Sequence, residues 1–211
     1  MSETYFVPAA EAESEFTEKR SRFIGHINRV ESEAEARAYI EKIKKRHYDA
    51  RHNCWCYVIH EGGVMRYGDD GEPQGTAGQP MLNVLRREGV ENAVCVVTRY
   101  FGGVLLGAGG LTRAYGKGAK DALDAAGKAR MALWTRLRVS VPYPLFERFT
   151  RLIDAHGGVT EDSDYGADVT VMLRLPRERS GAFHAAITEL SNGGIAPEIR
   201  GEVFLPGARE E

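Results

Sequence analysis

The sequence predicts an α+β protein of two domains, 1–132 and 133–211, and three observations carry that prediction. Segments with apolar residues at helical spacing alternate with short runs of β-branched and aromatic residues. One of those runs, NAVCVVTRYF (92–101), is apolar almost throughout, as a strand buried on both faces is. From about Leu133 the predicted order is strand, helix, strand, strand, helix, strand, the pattern of a ferredoxin-like split βαβ domain. With 211 residues, 43% hydrophobic and 27% charged, the chain has a globular composition and enough length for two cores.

The residues up to about Glu18 are rich in acids and alanines and show no clear period, so no element is expected there. RFIGHINRV reads as the first strand. SEAEARAYIEKIKKRHYDA follows with Ser32 as a cap, glutamates in its first turn, Ala36, Tyr39, Ile40 and Ile43 at helical spacing, and basic residues at its end, which predicts a helix. HNCWCYVIH and VMRYG, joined by Gly62-Gly63, read as a hairpin whose alternation sends His52, Cys54, Cys56 and Val58 to one face. A turn-rich loop, Asp69–Gln79, precedes a helix with Pro80 near its start and Met81, Leu82 and Leu85 inward. After the buried strand comes a glycine-rich loop and then a helix carrying Leu111, Tyr115, Ala119 and Ala122. The second domain reads as strand WTRLRVSVPY, helix PLFERFTRLIDAHGG, two strands about Asp164-Tyr165-Gly166, helix RSGAFHAAITELSNGG and strand PEIRGEVFLP.

The net charge of −2 argues against nucleic-acid binding by bulk charge and leaves a local basic face open. No run approaches the roughly 20 apolar residues of a membrane span, and the N-terminal residues lack the basic and apolar regions of a signal peptide, so a cytoplasmic protein is expected. Cys54, Cys56 and Cys95 are an odd set without metal spacing and are read as reduced thiols.

The candidate chemistry concentrates in two loops. Gly102, Gly103, Gly107 and Gly110 lie between a buried strand and a helix, where glycine lets backbone N–H groups approach an anionic oxygen. The same glycines equally suit a tight, closely packed turn, and neither a P-loop nor a dinucleotide fingerprint is present. Arg99, Tyr100 and Phe101 stand where the strand emerges, able to clamp a phosphate and stack on a base. Arg113, Lys117 and Lys120 form a helical stripe beside them, with a solvated helix face and Arg99 paired to an acid as the alternative. In the other loop Asp69, Asp70, Glu72 and Thr76 suggest either a divalent-metal or acid–base site, or a hydrogen-bonded loop with capped turns; the twelfth position from Asp69 is Pro80, which is not an EF-hand. His47, His52 and His60 with Cys54 and Cys56 match no zinc or nucleophile spacing.

The runs DDGEPQGTAGQPMLNVL and NAVCVVTRYFGGVLLGAGGLTRAY, with RHNCWCYVI upstream, resemble the signature of the YigZ/IMPACT family over about residues 15–127. Residues 133–206 resemble the C-terminal domain of its bacterial members, which is similar to the last domain of elongation factor G. The resemblance implies an N-terminal α/β sandwich of the ribosomal-protein domain-2-like type. It also implies RNA or the ribosome as partner, with a protein partner as another possibility, and no cofactor, resident metal or catalytic residue. Eukaryotic IMPACT proteins regulate translation in amino-acid starvation by means of an additional domain not found in this sequence, so their regulatory partner is not carried over. The signature residues on the two loops are then expected to form one ligand site: Asp69, Asp70, Glu72, Thr76, Arg99, Tyr100, Gly102, Gly103, Gly107, Gly110, Arg113 and Lys117. A metal-dependent enzyme or binder of a phosphorylated small molecule is the competing reading.

Overall fold

A computed structural model describes the backbone of residues 5–210 and the side chains of residues 5–207. The chain divides into two compact units, one running to Arg130 and taking back the chain from Pro206, the other Met131–Leu205. The protein is α+β, an α/β sandwich followed by a split βαβ fold.

In the first unit β2 (Ala12–Glu18), β3 (Ser21–Arg29), β4 (His52–Ile59), β5 (Val64–Gly68) and β6 (Ala93–Tyr100) form an antiparallel sheet in the order β2-β3-β6-β4-β5. The central β6 is buried on both faces, which is why its sequence is apolar without alternation. Val94 and Val96 face α1 (Glu33–Arg46), whose Ala36, Tyr39, Ile40 and Ile43 pack on them. Ala93, Cys95 and Val97 face α2 (Gly78–Arg87) and α3 (Ala108–Ala126) through Met81, Leu85, Tyr115, Ala119 and Leu123. The β4 alternation follows the same division, with Cys54, Cys56 and Val58 on the α2–α3 side and Trp55, Tyr57 and Ile59 on the α1 side. All three cysteines are buried and unbridged. Each such fully buried aliphatic side chain is worth about 1.5–3 kcal/mol, so the two clusters dominate the stability of the sandwich.

Several boundaries differ from the sequence reading. The opening residues do form elements: β1 (Phe6–Pro8) pairs with the start of β7 (Lys128–Val141), and the whole of β2 pairs with β3 from Ser21 to Ile27. The inward positions of β2 are Ala12, Ser14 and Phe16, and two of the three are too small or polar to give a hydrophobic period. α2 starts at Gly78, ahead of Pro80, and α3 at Ala108, so Gly109 and Gly110 belong to a helical first turn rather than to the loop. Glycine's poor helix propensity hid that start.

In the second unit the strand order is β8 (Val159–Tyr165), β9 (Val169–Pro176), β7, with β10 (Glu198–Glu210) also paired to β7. Consecutive strands one to four of this unit therefore lie in the order 4-1-3-2 of a split βαβ sheet. Leu137, Val139, Val171, Leu173 and Leu175 point to α4 (Tyr143–Ala155) and α5 (Arg177–Ser191), meeting Phe149, Ile153, Phe183 and Ile187. Among the described residues no helix is long and apolar enough to cross a membrane.

Candidate functional site

The loop from Asp69 is organised by its own carboxylates. Asp69 Oδ2 accepts from the Gly75 N–H at 2.7 Å, and Oδ1 accepts from the N–H groups of Ala77 at 3.1 Å and Gly78 at 2.8 Å. A distant carboxylate thus caps α2, meeting the free donors and the positive end of the helix dipole together. Asp70 accepts from the Asn53 N–H at 2.8 Å and from Lys44 Nζ at 3.0 Å. The Thr76 hydroxyl donates to the Pro73 carbonyl at 2.6 Å. Among the described residues no group of three or more His, Cys, Asp or Glu side chains is arranged to hold a metal ion.

Glu72 joins this loop to β6 and α3. Its Oε1 receives Arg99 Nη1 at 2.6 Å and the Tyr115 hydroxyl at 2.8 Å, with His52 Nε2 at 3.9 Å. The Glu72 and Arg99 side chains are only 4% and 5% exposed. Arg99 also donates to the hydroxyl of Ser21 and lies between the rings of Phe23 and Phe101, while its Nε has no partner among the described residues. Burial raises the Tyr115 hydroxyl pKa well above its ordinary value, and the nearby Cys54 and Glu72 raise it further. Burial likewise raises the Cys54 thiol, which donates to the Asp69 carbonyl. These groups are neutral donors at physiological pH, and the cluster is a closed polar knot rather than an open acid–base pair.

The second loop has the opposite character. Gly102 sits against the β2–β3 turn, where a Cβ would fall 1.9 Å from the Arg20 carbonyl oxygen, and its N–H donates to Ser21. Leu106 is buried and anchors the loop, whereas Leu105 is 82% exposed, and Val104 and Phe101 are open to solvent. α3 then opens at Gly107, in a backbone conformation (φ 72°) that L side chains rarely adopt, and has no side-chain cap. The Arg113 guanidinium folds back beside Gly109 in that first turn. On the other side of Gly102, Lys19 and Arg20 form the β2–β3 turn with positive φ angles of 44° and 66°, a conformation uncommon for such residues. Among the described residues Lys19, Arg20 and Arg113 form no ion pair.

The structure brings Glu72, Arg99 and Gly102 together and separates others from them. Tyr100 points to the α1 face of the sheet, where its hydroxyl meets His47 Nδ1 and Asp49 at 3.0 Å each, so it shares no pocket with Arg99. Lys117 is turned to Asp121 and lies over the Phe16 ring, and Lys120 is paired with Asp124 and Glu88. Of the helical stripe only Arg113 forms no ion pair among the described residues. Sequence reasoning missed Ser21, Lys19 and Arg20; the Lys-Arg pair ahead of the first strand was the available signal, readable once β2 is recognised as its hairpin partner.

Comparison with known proteins agrees with this architecture. Residues 19–123 match the Impact N-terminal domain, and residues 139–193 match a domain of unknown function, DUF1949. The chain is 39% identical to the IMPACT family member YvyE of Bacillus subtilis, covering 92% of this chain and 89% of that one. It is 35% identical to the IMPACT family member YigZ of Escherichia coli, covering 92% and 96%. A crystal structure described as that of a hypothetical protein superposes with a TM-score of 0.60 at 34% identity, covering 93% of this chain and 97% of that one. Eukaryotic proteins named IMPACT match about half of the chain. The chain belongs to the IMPACT family.

Proposed function

We propose that this protein binds RNA in the cytoplasm and acts in translation, through the surface around Gly102–Gly110. The observation that carries the reading is the uncompensated positive charge there: Arg20 beside Gly102, Arg113 beside Gly109, and the uncapped first turn of α3. Phosphate oxygens suit such a surface, because guanidinium groups and helix N–H groups both donate to them. Exposed Phe101 adds a ring on which a base can stack, and Leu105 an apolar contact. The translation role rests on family resemblance to the eukaryotic members. Arg99, buried under Glu72, holds the loop in place and is not itself a phosphate contact in this reading.

The test is binding to single-stranded RNA, duplex RNA and ribosomal subunits at low and moderate salt, comparing the parent chain with Arg20→Ala/Arg113→Ala. Affinity should fall steeply with salt, and the double variant should reduce the salt slope by about two, because each lost phosphate contact releases about one counterion fewer. An affinity and slope untouched by the double variant would place the RNA elsewhere.

A further inference from the structure

On the opposite face of the sheet, a groove of about 320 Å³ runs between α1 and the edge strand β5. Its floor is Trp55, whose ring is stacked on that of the buried Tyr57 with centroids 5.6 Å apart and planes 10° apart. Three features fix that floor. The indole lies across Gly68, where a Cβ would come within 2.6 Å of the ring, so only glycine leaves it flat. Trp55 and Gly68 are direct partners in the β4–β5 register. The Tyr57 hydroxyl donates to Glu33 at 2.6 Å, which holds the second ring from the α1 side.

The walls carry charges of both signs. Arg37, Lys44 and Arg66 line the groove against a single carboxylate, Glu41. Arg37 has a loose ion pair with Glu33 at 3.7 Å, and Lys44 is paired with Asp70, whereas Arg66 forms no ion pair among the described residues and reaches only its neighbouring Met65 carbonyl. The indole Nε1–H of the partly buried Trp55 makes no hydrogen bond among the described residues. A partly open indole face, an N–H donor without a partner and a cation without an ion pair, Arg66, together match a ligand that is planar, carries acceptors on its edge and is anionic at one end.

We propose that this groove binds one nucleotide, its base stacked on Trp55 and its phosphate against Arg66. The site is independent of the glycine loop. A free nucleotide and a nucleotide within a single strand offer the same chemistry, and the experiment separates them.

In a Trp134→Phe chain Trp55 is the sole indole, and its fluorescence is titrated with adenosine monophosphate, uridine monophosphate, a single-stranded uridine octamer and inorganic phosphate. Stacking quenches the emission, and Arg66→Glu, at an exposed edge position, weakens the quench by about tenfold. Quenching by the monophosphates identifies a free-nucleotide site, and quenching by the octamer alone identifies a strand-bound one. No quenching by any nucleotide, equal quenching by phosphate, or a quench indifferent to Arg66→Glu overturns the proposal. Arg20→Ala/Arg113→Ala leaves the quench by monophosphates intact, so loss of RNA affinity in that variant without any Trp55 response would sink the groove and leave the glycine loop standing. The reverse result would do the opposite.

Discussion

The two loops that meet at Glu72 carry equally dense sequence signatures and opposite physical content. In Asp69–Gln79 nearly every polar side chain is turned inward: one aspartate caps α2, the other ties the loop to Asn53 and Lys44, and Glu72 neutralises Arg99. In Phe101–Gly107 the side chains of Phe101, Val104 and Leu105 turn outward while Leu106 anchors the loop, the next helix is left uncapped, and Lys19, Arg20 and Arg113 form no ion pair among the described residues. The difference teaches that a signature loop can be a scaffold. The acidic loop builds the platform from which the glycine loop is presented, and the buried Glu72–Arg99 pair is the joint between them.

The sharpest way to break this comparison is to cut the joint. Glu72→Ala leaves the Arg99 guanidinium buried without its counter-charge, a loss expected to cost about 3–5 kcal/mol of stability in chemical denaturation. A cost below about 1 kcal/mol would mean that the pair is solvated and that the loops are not coupled through it.

Acid should act next most strongly, through the α1 face. His26 is 2% exposed, next to His47, and burial lowers its pKa to about 4. The unfolded chain takes up a proton near pH 6.5 and the folded chain does not until about pH 4. Stability is therefore full above pH 6.5 and falls as the pH drops toward 4, by at most about 3 kcal/mol from this group. His26→Gln should flatten that part of the pH–stability curve, and a curve of unchanged slope would assign the acid sensitivity to other groups.

Asp69→Ala is expected to cost about 1–3 kcal/mol, since it strands the N–H groups of Gly75, Ala77 and Gly78, and hydrogen exchange should quicken at those three amides specifically. At the small end, Leu105→Ser and Arg113→Ala should each change stability by no more than about 0.5 kcal/mol while weakening RNA binding several-fold. If either destabilises like Asp69→Ala, the second loop is scaffold too and the contrast between the loops disappears.

Much of this was legible in the chain. The apolar run at 92–101, the alternation through Cys54 and Cys56 and the helical spacing of Ala36, Tyr39, Ile40 and Ile43 gave the three layers of the sandwich, because large side chains report burial. β2 was silent because Ala12 and Ser14 are small enough to face inward without a hydrophobic signal. The start of α3 was silent because its first turn contains Gly109 and Gly110. Which residues would share the site was harder to read. Arg99 and Tyr100 are neighbours in sequence, but adjacent residues of a strand point to opposite faces, and here α1 claims one and α3 the other. Long-range pairings such as Asp69 with the α2 N-terminus, or Lys117 turning to Asp121 rather than to the loop, depend on tertiary geometry that no local pattern encodes.

The most direct test of the central claim is to titrate single-stranded RNA into the isotopically labelled chain and follow the backbone amide signals of both loops at once. The account predicts shifts at Gly103 and Ala108–Gly110 that saturate together and shrink with salt, with Gly75, Ala77 and Gly78 unmoved because their N–H groups are already held by Asp69. Shifts confined to Gly75–Gly78, or none in either loop while RNA is bound, would contradict it.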